Sequence, residues 1–303
     1  MSKLEDLHAV ELDILKAFAA LCDRHGLTYT LYCGTLLGAI RHKGFIPWDD
    51  DVDVAMPLKD YRRFRAVAGE LPAPYVMLDW GNCPTYRIPW MRIYADGTTH
   101  MDLWEAGVDT HHGIWIDIYP FIGAAETEFG QTLQDILIVL SRGFHGGEYH
   151  RAFQSDPRWY VRLLARIPRW IQLPLGNLCY RLAIRDPEKC RTIGTIDEAP
   201  FSGKYEKTDW DRMTTAVFEG TDFPIPAEYD KILRTMYGDY MTLPPEDKRH
   251  GHGTEHRIID AHRDYREYQR ELRDIVNSDE VQRTRPIPRR IFTQRIKKEK
   301  KRS

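Results

Sequence analysis

The sequence predicts an α/β protein in which helices flank a mixed sheet and a mostly helical segment is inserted. Residues 4–25 repeat apolar side chains at helical spacing, with charged residues between them. Residues 51–56 and 114–121 have the short apolar runs of buried strands, each with isolated acids. Residues 131–190 are dominated by long apolar and basic patterns that favour helices. The 303 residues suffice for one large domain or two smaller ones.

A turn of small residues is predicted after the first helix and the short strand that follows that helix. Gly26 is expected to stop that helix, and a strand over 29–33 leads to Gly34. Thr35 is expected to cap a short helix over 36–41. The free backbone N–H groups at such a helix start suit a phosphate.

The next elements alternate between strands and one helix. Pro57 is expected to end the strand over 51–56. Asp96 and Gly97 are expected to form a turn, and Pro120 to mark the exit of the strand over 114–121 from the sheet. The predicted strands lie at 51–56, 75–80, 90–94 and 114–121, and the predicted helix lies at 61–68.

The middle of the chain changes character. A helix predicted over 133–140 is expected to be broken by three glycines, and four arginines then share one narrow arc of a helical wheel. No acid occurs between residues 157 and 185. This pattern is typical of a basic interfacial helix at a membrane, and also of an ordinary helix with solvated arginines. The glycines are Gly143, Gly146 and Gly147, and the arginines are Arg158, Arg162, Arg166 and Arg169.

The C-terminal part is predicted to hold short elements and a tail. A Pro-rich loop is expected at 223–226, a helix at 227–236 and an exposed charged helix at 258–275. Residues 283–302 contain ten Lys or Arg and one acid, which is typical of a solvated tail. Contact of that tail with anionic lipid is the alternative.

Composition narrows the cellular setting. The net charge of −2 gives no global field for nucleic acid, and five cysteines without paired spacing favour reduced thiols. The N-terminus lacks a signal-peptide core, and no stretch is apolar enough to span a bilayer. We therefore expect a cytoplasmic protein, with peripheral contact at the inner face of the plasma membrane as a hypothesis.

Three carboxylates stand in otherwise apolar stretches. Asp51 and Asp53 are two residues apart on one predicted strand, and therefore point to the same face. Buried carboxylates are costly unless a cation neutralises them. With Asp117 on a neighbouring strand, they predict a cage of hard oxygen ligands in which Mg²⁺ or Mn²⁺ holds a diphosphate. A calcium loop beginning at Asp49 is disfavoured, because Val54 stands where the turn needs glycine.

Other side chains near these elements have two open interpretations. Four cations are candidate phosphate clamps or solvated charges: Arg41, Lys43, Arg87 and Arg92. Four tryptophans are candidates for an aromatic cage around a quaternary ammonium, or ordinary core residues: Trp48, Trp90, Trp104 and Trp115. Three histidines suit either a zinc site or an exposed loop: His250, His252 and His256.

Two long stretches resemble the LicD family. Residues 34–54 read GTLLGAIRHKGFIPWDDDVDV, and residues 112–120 read HGIWIDIYP. The Tyr-Gly-Asp-Tyr of 237–240, the Leu-Pro-Pro that follows it and His250 are also similar to the family pattern. The similarity is strong over residues 5–125 and weaker over 235–255.

The resemblance implies a nucleotidyltransferase-like fold and a metal-dependent phosphotransferase. Asp51, Asp53 and Asp117 would bind the metal, with Gly34, Thr35 (where the wider fold often has Ser) and His250 near the donor. A CDP-alcohol, CDP-choline above others, would give its phospho-alcohol to a hydroxyl of a cell-surface glycan or its lipid-linked precursor. Lipopolysaccharide, capsule and teichoic acid are such glycans. The family includes bacterial phosphocholine transferases and fukutin-related ribitol-phosphate transferases.

Two rival functions stay open. A nucleotidyltransferase of the same fold would move NMP onto a sugar phosphate or a protein, and a non-catalytic module would only bind nucleotide or glycan. The predicted organisation has four parts: a nucleotidyltransferase-like catalytic core at 1–125, a basic amphipathic helical insertion at 126–200, the C-terminal part of the catalytic unit at 201–280, and a basic tail at 281–303.

Overall fold

A computed structural model describes most of the chain, and the predicted α/β class is confirmed. The described residues are 3–83, 85–86, 88–102, 106, 108–145, 163, 166–196, 205–249, 251 and 257–276, with only the backbone of 273–276. The helices are α1 Lys3–His25, α2 Cys33–Arg41, α3 Leu58–Val67, α4 Glu128–His145, α5 Arg169–Ala183, α6 Tyr229–Tyr237 and α7 Tyr265–Val276. The strands are β1 Thr30–Leu31, β2 Asp53–Pro57, β3 Tyr75–Leu78, β4 Met91–Ala95, β5 Thr99–Asp102, β6 Trp115–Gly123, β7 Thr192–Thr195, β8 Tyr205–Glu206, β9 Met213–Phe218, β10 Thr221–Pro226 and β11 Arg257–Asp260.

The main sheet is mixed, as predicted. Its order is β1-β2-β6-β4-β3, with β7 paired to the far end of β6 and β8 paired to β7. β2 and β6 are parallel, whereas the other pairs are antiparallel. β9 with β10, and β5 with β11, form two separate antiparallel ribbons. The parallel pair at the centre matters most, because it carries two of the predicted acids.

Helix α1 follows the predicted bounds almost to the residue. Its apolar stripe is fully buried and joins the main core, and Gly26 ends it with a φ of +57°. The acids Glu5 and Asp6 in its first turn and Arg24 in its last turn complement the helix dipole. The buried stripe contains Leu7, Ile14, Leu15, Phe18 and Leu21.

The turn at Gly34 differs from the prediction. α2 already begins at Cys33, with Tyr32 as the N-cap residue and no capping side chain. Thr35 therefore lies inside the first turn and does not cap the helix. Its buried hydroxyl oxygen instead accepts a hydrogen bond from the backbone N–H of Asp53, at 2.8 Å. Thr35 thereby ties α2 to the start of β2.

Two details of the central strands also differ. β2 begins at Asp53, so Asp51 lies in the loop before the strand, and the prediction that both acids share one strand is wrong. Pro120 lies inside β6 and does not end it. Because the N–H of Asp117 points to β2, alternation aims the nitrogen of Pro120 at the opposite edge. There the β4 ladder has ended at Ile118 and the β7 ladder begins at Phe121, so no donor is needed.

In the second half of the chain, three predicted elements need correction. Residues 223–226 belong to strand β10, where proline is tolerated because the strand is part of a two-stranded ribbon. Residues 257–260 are strand β11, so the predicted helix over 258–275 begins only at Tyr265. Gly143 is buried inside α4 and does not break it.

Helices α4 and α5 pack against each other in antiparallel fashion. Ser141 donates a hydrogen bond to the carbonyl of Gly176, and Gln134 donates one to that of Ala183. Arg169 does not share the predicted helical arc with Arg166, since α5 begins at Arg169 and the preceding Pro168 is not helical. Arg158, Arg162, Gly146 and Gly147 lie outside the described residues.

Two features bear on the setting of the chain. Over the residues that the structure describes, no helix is long and apolar enough to cross a membrane. All five cysteines are described, and none forms a disulfide. The division of the chain near residues 125, 200 and 280 stays a prediction.

Candidate active site

A row of charged residues crosses three neighbouring strands of the sheet. Asp53 of β2 is the direct register partner of Asp117 of β6, which in turn pairs with Arg92 of β4. Register partners on adjacent strands point to the same face, with the strands about 5 Å apart. Both carboxylates are buried. The structure therefore brings Asp53, Asp117 and Arg92 together at one level of the sheet, which we call the charged row.

Asp117 is held by four N–H donors. The guanidinium of Arg92 is bidentate, with Nε 2.6 Å from Oδ1 and Nη2 3.1 Å from Oδ2. The indole N–H of Trp90 donates to Oδ1, and that of Trp115 donates to Oδ2 at 3.1 Å. Each oxygen thus accepts two hydrogen bonds, which satisfies the lone pairs that a metal would use.

Arg92 is fixed from a second side. Its guanidinium lies over the ring of Trp115, 4.3 Å from the ring centre. Burial alone would lower the pKa of Arg92, but the charge of Asp117 and the hydrogen bonds to it hold that pKa well above its ordinary value. Arg92 is therefore a permanent cation whose present partner is a carboxylate.

The loop before β2 adds three more acids. Asp50 is buried and pairs with Arg257 of β11 at 3.0 Å, and Arg257 also reaches Asp102 of β5. A Cβ at Gly34 would lie 2.6 Å from Oδ2 of Asp49, so a larger residue there would require the Asp49 side chain to move. The start of α2, predicted to face a phosphate, thus faces a carboxylate. Asp51 is half-buried in the same loop.

Glu11 is a member of this acidic group that sequence reasoning missed. Its side chain is fully buried on the apolar stripe of α1, and neither carboxylate oxygen has a hydrogen-bond partner among the described residues. Burial, reinforced by the charges of Asp51, Asp50, Asp49 and, least, Asp117, raises the pKa of Glu11 well above its ordinary value. An acid at the i+4 position from Leu7, inside an apolar stripe, was the available signal.

Arg41 and Lys43, two of the other predicted phosphate clamps, are not brought to the row. Arg41 lies at the far end of α2 and donates to the carbonyl of Tyr240 at 2.6 Å, while Lys43 is exposed in the following loop. The six residues from Thr35 to Arg41 advance about 9 Å along the helix. Arg87 and His250 lie outside the described residues, as do His252 and His256.

The tryptophans do not form one cage. Trp90 and Trp115 flank Asp117, but Arg92 covers one face of Trp115 and His100 stacks on its ring at 4.1 Å. Trp48 instead lies beside His42 and under Arg249. Trp104 lies outside the described residues.

The histidines near the row are structural as they stand. His111 bonds Asp96 and His112 bonds the carbonyl of Val108. Burial, together with the nearby cations, lowers the pKa of His100 to about 3, so this histidine is neutral at physiological pH.

The fit of a divalent metal can be judged from the donors. Within the described residues, no group of three His, Cys, Asp or Glu side chains is arranged ready to hold a metal. Carboxylate oxygens are nonetheless the ligands that Mg²⁺ and Mn²⁺ take, and Asp51 and Asp53 fit that role. Asp117 fits only after Arg92 and the indoles release it. The prediction of three metal ligands therefore stays a prediction, with this condition attached.

A cleft opens on the other side of Trp90. It lies between α3, the segment joining β3 to β4, and α5. Its walls combine aromatic rings with an Arg65–Asp79 ion pair. Trp90 borders this cleft and also bonds Asp117, so this one side chain separates the cleft from the charged row. The aromatic walls are Tyr61, Trp80, Trp90 and Tyr180.

Comparison with known proteins agrees with this geometry. Residues 26–144 match the family model LicD/FKTN/FKRP, nucleotidyltransferase domain. The lipopolysaccharide cholinephosphotransferase LicD of Haemophilus influenzae is 28% identical over 263 residues, which are 82% of this chain and 95% of that protein. An uncharacterized protein of Rickettsia typhi is 37% identical over 54 residues, 18% of each chain, and one of Rickettsia prowazekii is 40% identical over 47 residues, 16% of this chain and 18% of that protein. The resemblance of this chain to the LicD family is therefore confirmed, and residues 26–144 match the nucleotidyltransferase domain of that family.

Proposed function

We propose that this chain transfers phosphocholine from CDP-choline to a hydroxyl of lipopolysaccharide or of a lipid-linked glycan precursor, and releases CMP. The observation that carries the proposal is the similarity to the Haemophilus cholinephosphotransferase over nearly all of that protein's length. Asp53, Asp117 and Arg92 lie together at one level of the sheet, and this arrangement supports a phosphoryl-transfer site. The reaction would take place at the cytoplasmic face of the membrane, where such precursors lie.

Charge neutralisation is the main task of such a site, because phosphoryl transfer needs little covalent chemistry from the protein. Mg²⁺ or Mn²⁺ held by Asp51 and Asp53, when bound, would neutralise the donor diphosphate. Thr35 would hold the backbone of Asp53 in place, because the N–H of Asp53 donates a hydrogen bond to the Thr35 hydroxyl.

Arg92 is the group that exchanges partners in this scheme. A guanidinium binds carboxylates and phosphates with the same bidentate geometry, so Arg92 would move from Asp117 to the incoming phosphate. Asp117 would then be released to ligate the metal and to accept the proton of the acceptor hydroxyl. The new O–P bond forms as the bond to CMP breaks, and the proton passes from Asp117 to solvent.

The cleft beside Trp90 is the proposed acceptor site. Aromatic rings next to a charged pair suit a sugar, since the rings can pack on its apolar face while Arg65 and Asp79 bond its hydroxyls. The cleft ends at Trp90, whose indole touches the proposed base. An acceptor bound there would place a hydroxyl near Asp117.

The products decide between the proposal and its rivals. The protein would be incubated with Mg²⁺, lipopolysaccharide and, in turn, CDP-choline, CDP-ribitol, CDP-glycerol or CDP-ethanolamine. We expect CMP and labelled lipopolysaccharide from CDP-choline. A parallel incubation contains nucleoside triphosphates and a sugar phosphate. Release of pyrophosphate there, with no CMP from any CDP-alcohol, would favour the nucleotidyltransferase, and binding without turnover would favour the non-catalytic module.

Asp53→Asn tests the site within the same assay. We expect turnover to fall about 10²- to 10³-fold, because the substitution removes charge where the donor's charge must be neutralised. Asp222→Asn, on the exposed face of β10, is the matched control and should keep full activity. Equal activity in the two variants would remove Asp53 from the mechanism.

A further inference from the structure

The outward faces of helices α4 and α5 are apolar. Phe129 is 80% exposed and Trp170 is 77% exposed, and both belong to a larger set of exposed apolar side chains. On α4 these residues recur at spacings of three and four, and so do Leu175, Leu178 and Leu182 on α5, so each helix carries one continuous stripe. Trp170 lies five residues before Leu175, in the first turn of α5. The remaining members are Leu133, Ile136, Val139 and Leu140 on α4, and Leu175, Leu178 and Leu182 on α5.

The inward faces of the same helices are unusually polar. Gln134, Ser141 and His145 of α4 are buried, together with Gln172 of α5. Gln134 bonds three backbone groups, Ser141 bonds the carbonyl of Gly176, and His145 bonds Asn177. These buried side chains thus find hydrogen-bond partners within the protein, as they must in a setting without water.

This arrangement reverses that of a helix in water, which buries its apolar stripe and exposes its polar one. A contiguous exposed apolar patch of this kind marks a surface that contacts a protein or a membrane. The patch follows two packed helices, so neither helix can turn its apolar face inward without losing the polar contacts between them. The exposed stripes therefore need a partner from outside the described residues.

The charges on the α5 side of the patch favour a bilayer over a second copy of the chain. Arg166, Arg181 and Arg185 are exposed, and no acid occurs between residues 157 and 185. A two-fold interface built on α5 would bring arginines close to their own copies, which is repulsive. Anionic headgroups are instead complementary to them, and an exposed tryptophan such as Trp170 is typical of the membrane–water interface.

We propose that α4 and α5 form a membrane-seated helix pair that lies in one leaflet of an anionic bilayer. Because no described helix is long and apolar enough to cross, the pair lies along the interface with its apolar stripes in the acyl region. α5 also supplies Asn177, Tyr180 and Ile184 to the cleft beside Trp90. Seating the pair would therefore hold that cleft at the bilayer surface.

Vesicle flotation of the full chain, without donor or acceptor, tests this proposal independently of the proposed function. We expect binding to vesicles of phosphatidylglycerol and phosphatidylcholine, and weaker binding to phosphatidylcholine alone. The combined variant Leu133→Ser, Ile136→Ser, Leu178→Ser and Leu182→Ser should bind at least about tenfold more weakly. Val76→Ser with Val217→Ser, exposed on β3 and β9, is the matched control and should bind as the parent does.

Two further measurements distinguish binding to a bilayer from association with a second copy of the chain. Arg166→Gln with Arg181→Gln and Arg185→Gln should lose binding to the anionic vesicles only, on the order of tenfold. Sedimentation in lipid-free buffer then tests the competing occupant. Absence of vesicle binding, or a stable dimer that the four-serine variant dissociates while vesicle binding is unchanged, would overturn the proposal.

Discussion

The charged row and the helix pair α4–α5 depart from the usual distribution of polar and apolar groups in opposite directions. The row buries charged residues in a sheet, whereas the helix pair exposes apolar residues to solvent. At the row, Arg92 neutralises the charge of Asp117, and two indole N–H groups donate hydrogen bonds to it. On the outward faces of the helices, the described residues provide nothing equivalent for Phe129 or Trp170.

This difference separates two kinds of functional signal. A buried charge with internal partners is stable before any ligand arrives, and the ligand must compete with those partners. An exposed apolar stripe has no such partners among the described residues, so it indicates contact with another molecule. The row is therefore best tested by removing internal partners, and the helix pair by comparing its inner and outer faces.

The largest expected effect comes from unpairing the row. Arg92→Ala should lower the free energy of unfolding by about 3–5 kcal/mol, because it leaves the charge of Asp117 buried with only the indoles. Asp117→Asn in the Arg92→Ala background should recover part of that loss. Urea unfolding of the two single variants and the double variant measures the coupling.

A contrasting control for this cycle is the Arg65–Asp79 pair, in which the arginine side chain is 48% exposed and the aspartate 13%. Arg65→Ala should cost no more than about 1 kcal/mol, because water screens the arginine and two backbone N–H groups still bond Asp79. Strictly additive losses in the Arg92 and Asp117 cycle would mean that the two side chains stabilise the sheet independently, and the row would lose its special status.

Sequence patterns predicted the parts of this molecule that depend on local periodicity. The apolar stripe of α1 gave its bounds to within one residue, and the short apolar runs around Asp53 and Asp117 indicated buried strands. That the two acids would meet followed from placing them on neighbouring strands, and the register confirms their meeting.

What the sequence could not predict depends on contacts between distant segments. The pairing of Arg92 with Asp117 is set by the register of β4 on β6, which no local pattern encodes. Glu11 looked like one of the polar residues between apolar ones, although its position four residues after Leu7 places it on the buried stripe. What no local pattern shows is that the acids at 49–51 lie close enough to act on it. Likewise, the apolar stripe of α4 was visible, but its outward direction was not.

The next largest effect on the free energy of unfolding is expected from the buried polar side chains between α4 and α5. Gln134→Leu should lower the free energy of unfolding by about 2–3 kcal/mol, because the N–H of Ala125 and the carbonyls of Gly123 and Ala183 lose their partner. Chemical denaturation measures the loss. Thr132→Leu, exposed on the same helix, should change little, and an equal loss at both positions would contradict the inward polarity.

Glu11 offers a pH-dependent test in metal-free buffer. Its pKa is raised in the folded protein, chiefly by burial, so the folded state holds the proton at pH values where the unfolded chain has released it. Glu11 therefore contributes least to the free energy of unfolding at high pH. That contribution is lost as the pH rises from the ordinary glutamate pKa towards the raised pKa of Glu11 in the folded protein.

Glu11→Gln should remove this dependence. Its melting temperature should exceed that of the parent increasingly from pH 5 to pH 8, as followed by circular dichroism. Glu5→Gln, an exposed neighbour in the first turn of α1, is the control and should show no such trend. A parent and a Glu11→Gln variant with parallel melting curves across this range would mean that Glu11 is not buried as an acid.

The smallest expected effect contrasts two isoleucines of α4 that are two positions apart. Ile136 is half exposed on the outward face, whereas Ile138 is buried in a small core cluster. Ile136→Ser should change the free energy of unfolding in lipid-free buffer by no more than about 0.5 kcal/mol, because it removes no buried contact. Ile138→Ser should cost at least about 3 kcal/mol, since it leaves a cavity and buries a hydroxyl. If Ile136→Ser were as destabilising as Ile138→Ser, the outward stripe would already be covered within the chain, and the helix pair would have no surface left for a bilayer.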